Sequence, residues 1–483
     1  MGQPLLGARP GAGGQANGLA GRNGTRAGSD PVRVEGPTGL PGRITSDDVA
    51  IKDLGKCQIA SPVAAHLGAT AMHFVGEADK VLVNDCLSQL GAYAGQVGAL
   101  PAFEMAGPRN KIFFDPRTVK CGIVTCGGLC PGLNNVVRGI VLELAQGYGV
   151  RTILGLRFGY EGLAARFGHD PLVLTPAGVA HIHHQGGTIL GSSRGSQDPG
   201  EVVDRLEALG IDVLFVVGGD GSIRGALALT AEIARRGLKI GVVGVPKTID
   251  NDIHFLDRRF GFESAFSAAV DVIRSAKVEA TGARDGIGLV KLMGRHSGFV
   301  ACHAALASTD VDLVLIPEIP MALDGEGGVV RYLERVLDRQ GHAVIVVAEG
   351  AAQEMVAHEA AGGPDRDKSG NAKLKDVGVF LRDRLGVAFS QAGREVTLKY
   401  MDPSYTIRSV PASPSDSVYC WNMARNAVHA AMAGNTEMLV GRWHGRFVHV
   451  PMPLAIRSRK QVGAGDDLWM SVIEATGQPR TFA

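Results

Sequence analysis

Residues 213–252 read VLFVVGGDGSIRGALALTAEIARRGLKIGVVGVPKTIDND, and this stretch sets the architecture. An unbroken apolar run, Val213–Val217, stops at Gly218 and Gly219. An amphipathic stretch, Ile223–Arg236, follows with apolar residues at helical spacing, and a second apolar run, Ile240–Val245, ends at Pro246. Continuous apolar runs of strand length suit parallel strands buried on both faces, with helices packed above and below.

The same alternation recurs on either side. Further strands are predicted at Cys121–Thr125, Gly288–Leu292, Asp312–Ile316 and Ala343–Ala348. Helices are predicted at Leu133–Gln146, Phe262–Ala276, Ser297–Ser308 and Gly328–Gln340. The expected class is α/β, with mostly parallel sheets in three-layer α/β/α units. A chain of 483 residues is too long for one ordinary core, so two such domains are expected to share the strands. Residues 45–114 read as a mixed N-terminal extension whose helical candidate is Asp79–Tyr93, and the polar run Gly362–Lys375 reads as a solvated loop. Residues 1–44 are Gly- and Arg-rich and read as a disordered tail without the apolar core of a secretory signal. Gly2 does not open a myristoylation motif, because position 6 is Leu6.

Charge narrows the partners. The formal net charge is +1, from 49 basic and 48 acidic residues, so no global field draws the chain to nucleic acid or a membrane surface. Any phosphate recognition has to be local. No apolar run is long enough to span a bilayer. The 7 cysteines form no CxxC pair, which argues against a disulfide framework or a structural zinc and suits a reducing cytoplasm.

In open parallel sheets ligands bind beyond the carboxyl ends of the strands, and the polar clusters of this chain fall there. Gly127-Gly128-Leu129-Cys130-Pro131-Gly132 joins a strand to a helix, so backbone and helix dipole can meet a phosphate. In Gly218-Gly219-Asp220-Gly221-Ser222 a carboxylate sits between glycines, able to reach a metal; it could equally cap the next helix through the N–H of Ile223 or Arg224. Pro246-Lys247-Thr248-Ile249-Asp250-Asn251-Asp252 combines two acids with a lysine and a threonine. That set suits removal of a proton from a hydroxyl by an Asp while Lys and Thr hold a phosphoryl oxygen.

Together with Met293-Gly294-Arg295, these motifs resemble the phosphofructokinase family. The wording of Thr125–Asn134, Gly187–Gly195 and Tyr400–Arg408 is similar to its plant- and trypanosome-like ATP-dependent branch. The similarity runs from about residue 107 to about 445. It implies transfer of the γ-phosphoryl group of ATP, with Mg²⁺, to the 1-hydroxyl of fructose 6-phosphate. It also implies a nucleotide-binding domain over residues 115–262, completed by part of 400–450, a sugar-phosphate domain over 263–399, and a C-terminal segment over 451–483. A homodimer or homotetramer is expected from the same resemblance.

The resemblance assigns roles. Gly127, Arg194, Gly195, Gly219, Asp220, Gly221 and Ser222 would line the nucleotide, with Asp220 on the metal. Asp250 would be the base, with Gly221 and Lys247 beside it at the reacting centre. Thr248, Ile249, Asp250, Met293, Gly294, Arg295, Glu318, Lys399, Tyr405 and Arg408 would border the sugar phosphate, Met293 mainly through backbone. Asp252 either holds a magnesium water or orients Asp250. Gly286 stands where bacterial-type relatives place an arginine that crosses a subunit interface, and Arg284 is out of register with it. A pyrophosphate-dependent relative usually carries a second Asp at the place of Gly221, so Gly221 favours ATP; Lys247 occurs in both branches. A lipid or NAD kinase would share GGDG but has no place for the Lys247–Asp252 and Tyr405–Arg408 motifs, and a non-catalytic regulatory subunit would not need both carboxylates.

Overall fold

The computed structural model describes residues 44–63, 74–90, 100–359 and 374–482. Residues 1–43 and most of the predicted loop Gly362–Lys375 lie outside them. In chain order the principal strands are β1 Lys120–Thr125, β2 Thr152–Leu156, β3 Leu172–Val173, β4 Val213–Gly218, β5 Gly241–Pro246, β6 Gly286–Leu292, β7 Leu313–Leu315, β8 His342–Ala348, β9 Thr397–Met401, β10 Met438–Trp443 and β11 Arg446–Pro451. The main helices are α1 Leu133–Leu142, α2 Asp220–Arg235, α3 Phe262–Thr281, α4 Phe299–Ser308, α5 Val329–Gln340, α6 Val377–Gln391, α7 Pro414–Met432 and α8 Asp467–Thr476.

A seven-stranded sheet has the order β11-β10-β5-β4-β1-β2-β3, parallel except at its two edges. A four-stranded sheet, β7-β8-β6-β9, is parallel throughout. Side chains of successive residues enter opposite layers, as the pleat requires. Val213, Phe215 and Val217 of β4 point into one core, while Leu214 and Val216 point into another. On β8, Val344 and Val346 enter the first of these cores and Ile345 and Val347 a third. One core is therefore common to both sheets, filled from the side by α1, α3, α4 and α7. This is the burial of both faces expected from the unbroken apolar runs.

Chain order explains the position of the site. From β1 the chain runs outward to β2 and β3, then returns to the other side of β1 to form β4. The reversal lies between β1 and β4, so the loops Gly127–Gly132 and Gly218–Ser222 leave adjacent strand ends and flank a crevice. In the smaller sheet β6 lies between β8 and β9, and its following loop carries Met293–Arg295.

Two expectations need correction. In place of a helix over Asp79–Tyr93, Lys80–Leu82 is a strand paired antiparallel with Ala102–Glu104, and helix is present only at Leu87–Leu90; residues 91–99 lie outside the described part. Pairing with a distant segment supplies the backbone partners here, which outweighs local helical preference. The helix begun at Leu133 is α-helical only to Leu142 and widens into a π-helix over Glu143–Tyr148. Among the described residues, no helix is long and apolar enough to cross a membrane.

Candidate active site

The loop after β1 is shaped by what lies directly beneath it. Gly127 has φ 82°, and a Cβ there would stand 3.2 Å from Lys247 Nζ. The Lys247 side chain is buried, and its ammonium donates to the Gly128 carbonyl at 2.6 Å. Burial pulls its pKa down, partly countered by Asp250. The segment carrying Arg194 and Gly195 packs on this loop: Gly127 N–H donates to Ser193 O at 3.0 Å, and Ser192 Oγ donates to Gly127 O. A Cβ on Gly128 would lie 3.4 Å from Arg194 Nη2 and 3.8 Å from Arg408 Nη1. Two arginines thus face one patch of bare backbone.

The loop after β4 does not use Asp220 as a helix cap. Gly219 is the N-cap of α2, and the Asp220 carboxylate makes no capping bond. It is turned outward to the Arg224 guanidinium at 3.2 Å and lies 3.6 Å from Arg459 Nη2. Gly218 packs close against Ser222, while a Cβ at Gly221 would meet nothing within 4 Å. Space beside Asp220 is therefore open.

The loop after β5 holds the acids. Thr248 organises both: its hydroxyl donates to Asp252 Oδ1 at 3.2 Å and accepts the Asp250 N–H at 3.2 Å. Ile249 is buried beneath them. Ser297 Oγ donates to the Asp250 carbonyl at 2.8 Å. Asp250 Oδ1 is buried and has no hydrogen-bond partner. Burial raises the Asp250 pKa most; the charges of Asp252 and Glu349 add to this, while the Arg295 backbone N–H and the Lys247 charge oppose it. A carboxylate with a raised pKa and a free oxygen is equipped to take a proton.

Opposite this loop lie the remaining predicted residues. Met293 packs on the common core, and Gly294, with φ 134°, makes the turn that brings Arg295 toward Asp250 and Glu349. Glu318 Oε1 accepts the N–H groups of Gly298 at 2.9 Å and Val462 at 2.8 Å, leaving Oε2 buried and unpartnered. Arg408 stacks over the ring of the exposed Tyr405, 4.5 Å from its centroid, with a buried and unpartnered Nε. Burial raises the pKa of the nearby Glu349 carboxyl, and the charges of Arg295 and Arg408 work against that rise. Lys399 stands apart: it is exposed in the edge strand β9, opposite Gly288, without a hydrogen bond or ion pair among the described residues.

Three features escaped the sequence reading. Glu349 directly follows β8, so the strand-end rule that flagged Asp220 and Asp250 would also have found it. Arg259 is fully buried, with Nη1 donating to Asn251 Oδ1 at 3.0 Å, and it supports Asn251 in a left-handed conformation at φ 56°. Burial lowers its pKa to about 10. The doublet Arg258-Arg259 gives no sequence signal that one member is interior, because arginine is rarely fully buried. The third is the C-terminal segment, which crosses the site.

Comparison with known proteins identifies the family. The phosphofructokinase family model matches residues 120–431. The ATP-dependent 6-phosphofructokinase of Amycolatopsis methanolica is 52% identical over 441 residues, spanning 90% of this chain and 96% of that protein. The ATP-dependent 6-phosphofructokinase of Trypanosoma brucei brucei is 42% identical, spanning 90% of this chain and 88% of its own length. The crystal structure of a pyrophosphate-dependent phosphofructokinase from Marinobacter aquaeolei superposes with a TM-score of 0.61 at 19% identity, covering 75% of this chain and 93% of that one. At that identity it speaks for the fold.

Proposed function

The chain belongs to the phosphofructokinase family, and on that premise we infer that it transfers the γ-phosphoryl group of ATP to the 1-hydroxyl of fructose 6-phosphate. Its ATP-dependent phosphofructokinase activity rests on relatives of that name along most of the chain. The observation that carries the site assignment is Asp250. It is buried, raised in pKa and free at Oδ1, between a glycine loop underlain by Lys247 and the free oxygen of Glu318.

In this reading Gly127, Gly128, Gly219 and Ser222 let the nucleotide phosphates approach backbone, with Arg194 and Gly195 beside them. Asp250 takes the proton of the attacking hydroxyl. Glu318 Oε2 accepts from sugar hydroxyls, and Arg295 and Arg408 neutralise the sugar phosphate, with Lys399 a more distant contributor. Phosphoryl transfer asks mainly for alignment and charge neutralisation, which these groups are placed to supply.

The donor set also fits Mg²⁺. Asp220 offers an outward carboxylate beside the open space at Gly221, while the described residues contain no preassembled group of His, Cys, Asp and Glu for a metal. Mg²⁺ is usually held by one or two carboxylates together with substrate phosphates. Asp220 would hold it, and its chemistry there is neutralisation of charge on the phosphate oxygens. A cytoplasmic location is part of the reading, supported by the free cysteines, and so is a homodimer or homotetramer, supported by the family resemblance.

One assay tests the reading: purified protein with fructose 6-phosphate and Mg²⁺, given ATP or pyrophosphate. Turnover is expected with ATP. Preference for pyrophosphate at equal concentration would overturn the donor assignment. A second expected result concerns Arg408. A charge-assisted hydrogen bond is worth roughly 1.5–3 kcal/mol, so Arg408→Ala should raise KM for fructose 6-phosphate about tenfold to a hundredfold. Arg408→Lys should recover part of that, because an ammonium cannot make the paired bonds of a guanidinium. The proximity of Arg408 to Gly128 makes this a sharp test. A rise in the ATP KM alone would place Arg408 with the nucleotide.

A further inference from the structure

After β11 the chain does not end at the edge of its sheet. Residues Ile456–Val462 return across the open mouth of the site and touch a different functional loop at almost every step. Ile456 O accepts from Arg224 Nη2 at 3.2 Å, and Arg224 also holds Asp220. Arg459 bridges antiparallel to Ile253, next to the acid loop, and its Nη2 lies 3.6 Å from Asp220 Oδ2. Lys460 N–H donates to the Asp252 carbonyl at 2.9 Å. Gln461 Nε2 donates to the His296 carbonyl at 3.2 Å, and Val462 N–H donates to Glu318 Oε1 at 2.8 Å. The nucleotide side, the acid loop and the sugar side are thus tied by one strand of backbone.

The contacts differ in kind along this strap. At the Val462 end the hydrogen bond is 2.8 Å long and partly buried, and together with the Gly298 N–H it fixes which oxygen of Glu318 stays free. At the Arg459 end the side chain is 38% exposed, and Asp220 is its one partner among the described residues, at a distance too long for a hydrogen bond. A guanidinium so loosely held, beside the carboxylate assigned to the metal, can exchange that partner for phosphate oxygens at little cost, since its planar fork matches them.

We propose that Ile456–Val462 is a positioning strap for phosphoryl transfer, in which Arg459 leaves Asp220 to bind the phosphates of the incoming nucleotide while Val462 holds Glu318 in place for the sugar. The proposal rests on the phosphofructokinase reading and adds residues beyond its motifs. It accounts for Asp220 being paired with arginines: the pairing keeps the carboxylate extended, and the nucleotide offers Arg459 a better partner.

The test separates the two ends. Arg459→Ala should weaken ADP binding, followed calorimetrically without turnover, and raise KM for ATP, each about tenfold to a hundredfold. KM for fructose 6-phosphate should change less than about twofold. Arg459→Lys should restore part of the ADP affinity. Val462→Pro removes the N–H that donates to Glu318 and should show the opposite split, raising the sugar-phosphate KM alone. Because proline could disturb folding, thermal melts accompany it, and the exposed Arg459 variants carry the decision by themselves. Unchanged ADP affinity in Arg459→Ala overturns the proposal. An equal rise of both KM values in Arg459→Ala overturns it too, since that is the mark of a merely structural strap. Wild-type protein that binds ADP yet does not phosphorylate fructose 6-phosphate would instead sink the functional reading.

Discussion

Asp250→Asn is expected to lower kcat by about 10²–10⁴, the range usual for loss of a general base, with little change in KM for ATP. The side chain is isosteric and the loop is held through backbone and Thr248, so the loss should be chemical and not conformational. Acid–base behaviour supplies an independent check. Burial and the neighbouring Asp252 and Glu349 push the Asp250 pKa up to about 7. A base must be ionised, so kcat/KM should rise with pH through an acid limb near that value, and Asp250→Asn should lose the limb. Stability should move the opposite way. The folded state holds a proton that the unfolded chain has released above about pH 4, so stability falls as pH rises from there toward 7. Asp250→Asn removes this cost and should melt above wild type at pH 8, with the difference closing near pH 4. Near-wild-type turnover in Asp250→Ala would remove the residue from the mechanism.

Gly221→Asp is expected to cut kcat/KM for ATP by about 10²–10³ without unfolding the protein. A Cβ at Gly221 meets nothing within 4 Å, so the new carboxylate fits the empty protein. It would also lie in the first turn of α2, where a negative charge favours the helix dipole. The cost falls on the nucleotide. Two unit charges about 4 Å apart at an effective dielectric of about 20 repel by about 4 kcal/mol, which sets the upper end of the expected loss. Melting within a few degrees of wild type, combined with a steep loss of ATP-dependent rate, is the expected pair of results. Retention of ATP turnover would show that the inner phosphates do not pass Gly221.

Unbroken apolar runs such as Val213–Val217 and Ala343–Ala348 determined the parallel sheets, because only strands covered on both faces avoid exposing such runs to water. The strand-end rule then flagged Asp220 and Asp250 as candidates, while Arg295 was drawn from the family resemblance. Local pattern failed at Lys80–Leu82, where the partner is the distant Ala102–Glu104. It was silent on quantities set by several segments at once. The Asp250 pKa depends on Asp252, Glu349, Arg295 and Lys247, of which only Asp252 and Lys247 are near in sequence. The approach of Arg408 to Gly128, the burial of Arg259 under Asn251, and the passage of Arg459 beside Asp220 likewise join parts of the chain with no shared motif. Periodicity reports how one segment meets solvent; burial of a charge and the meeting of distant loops exist only once the sheets have closed on their common core.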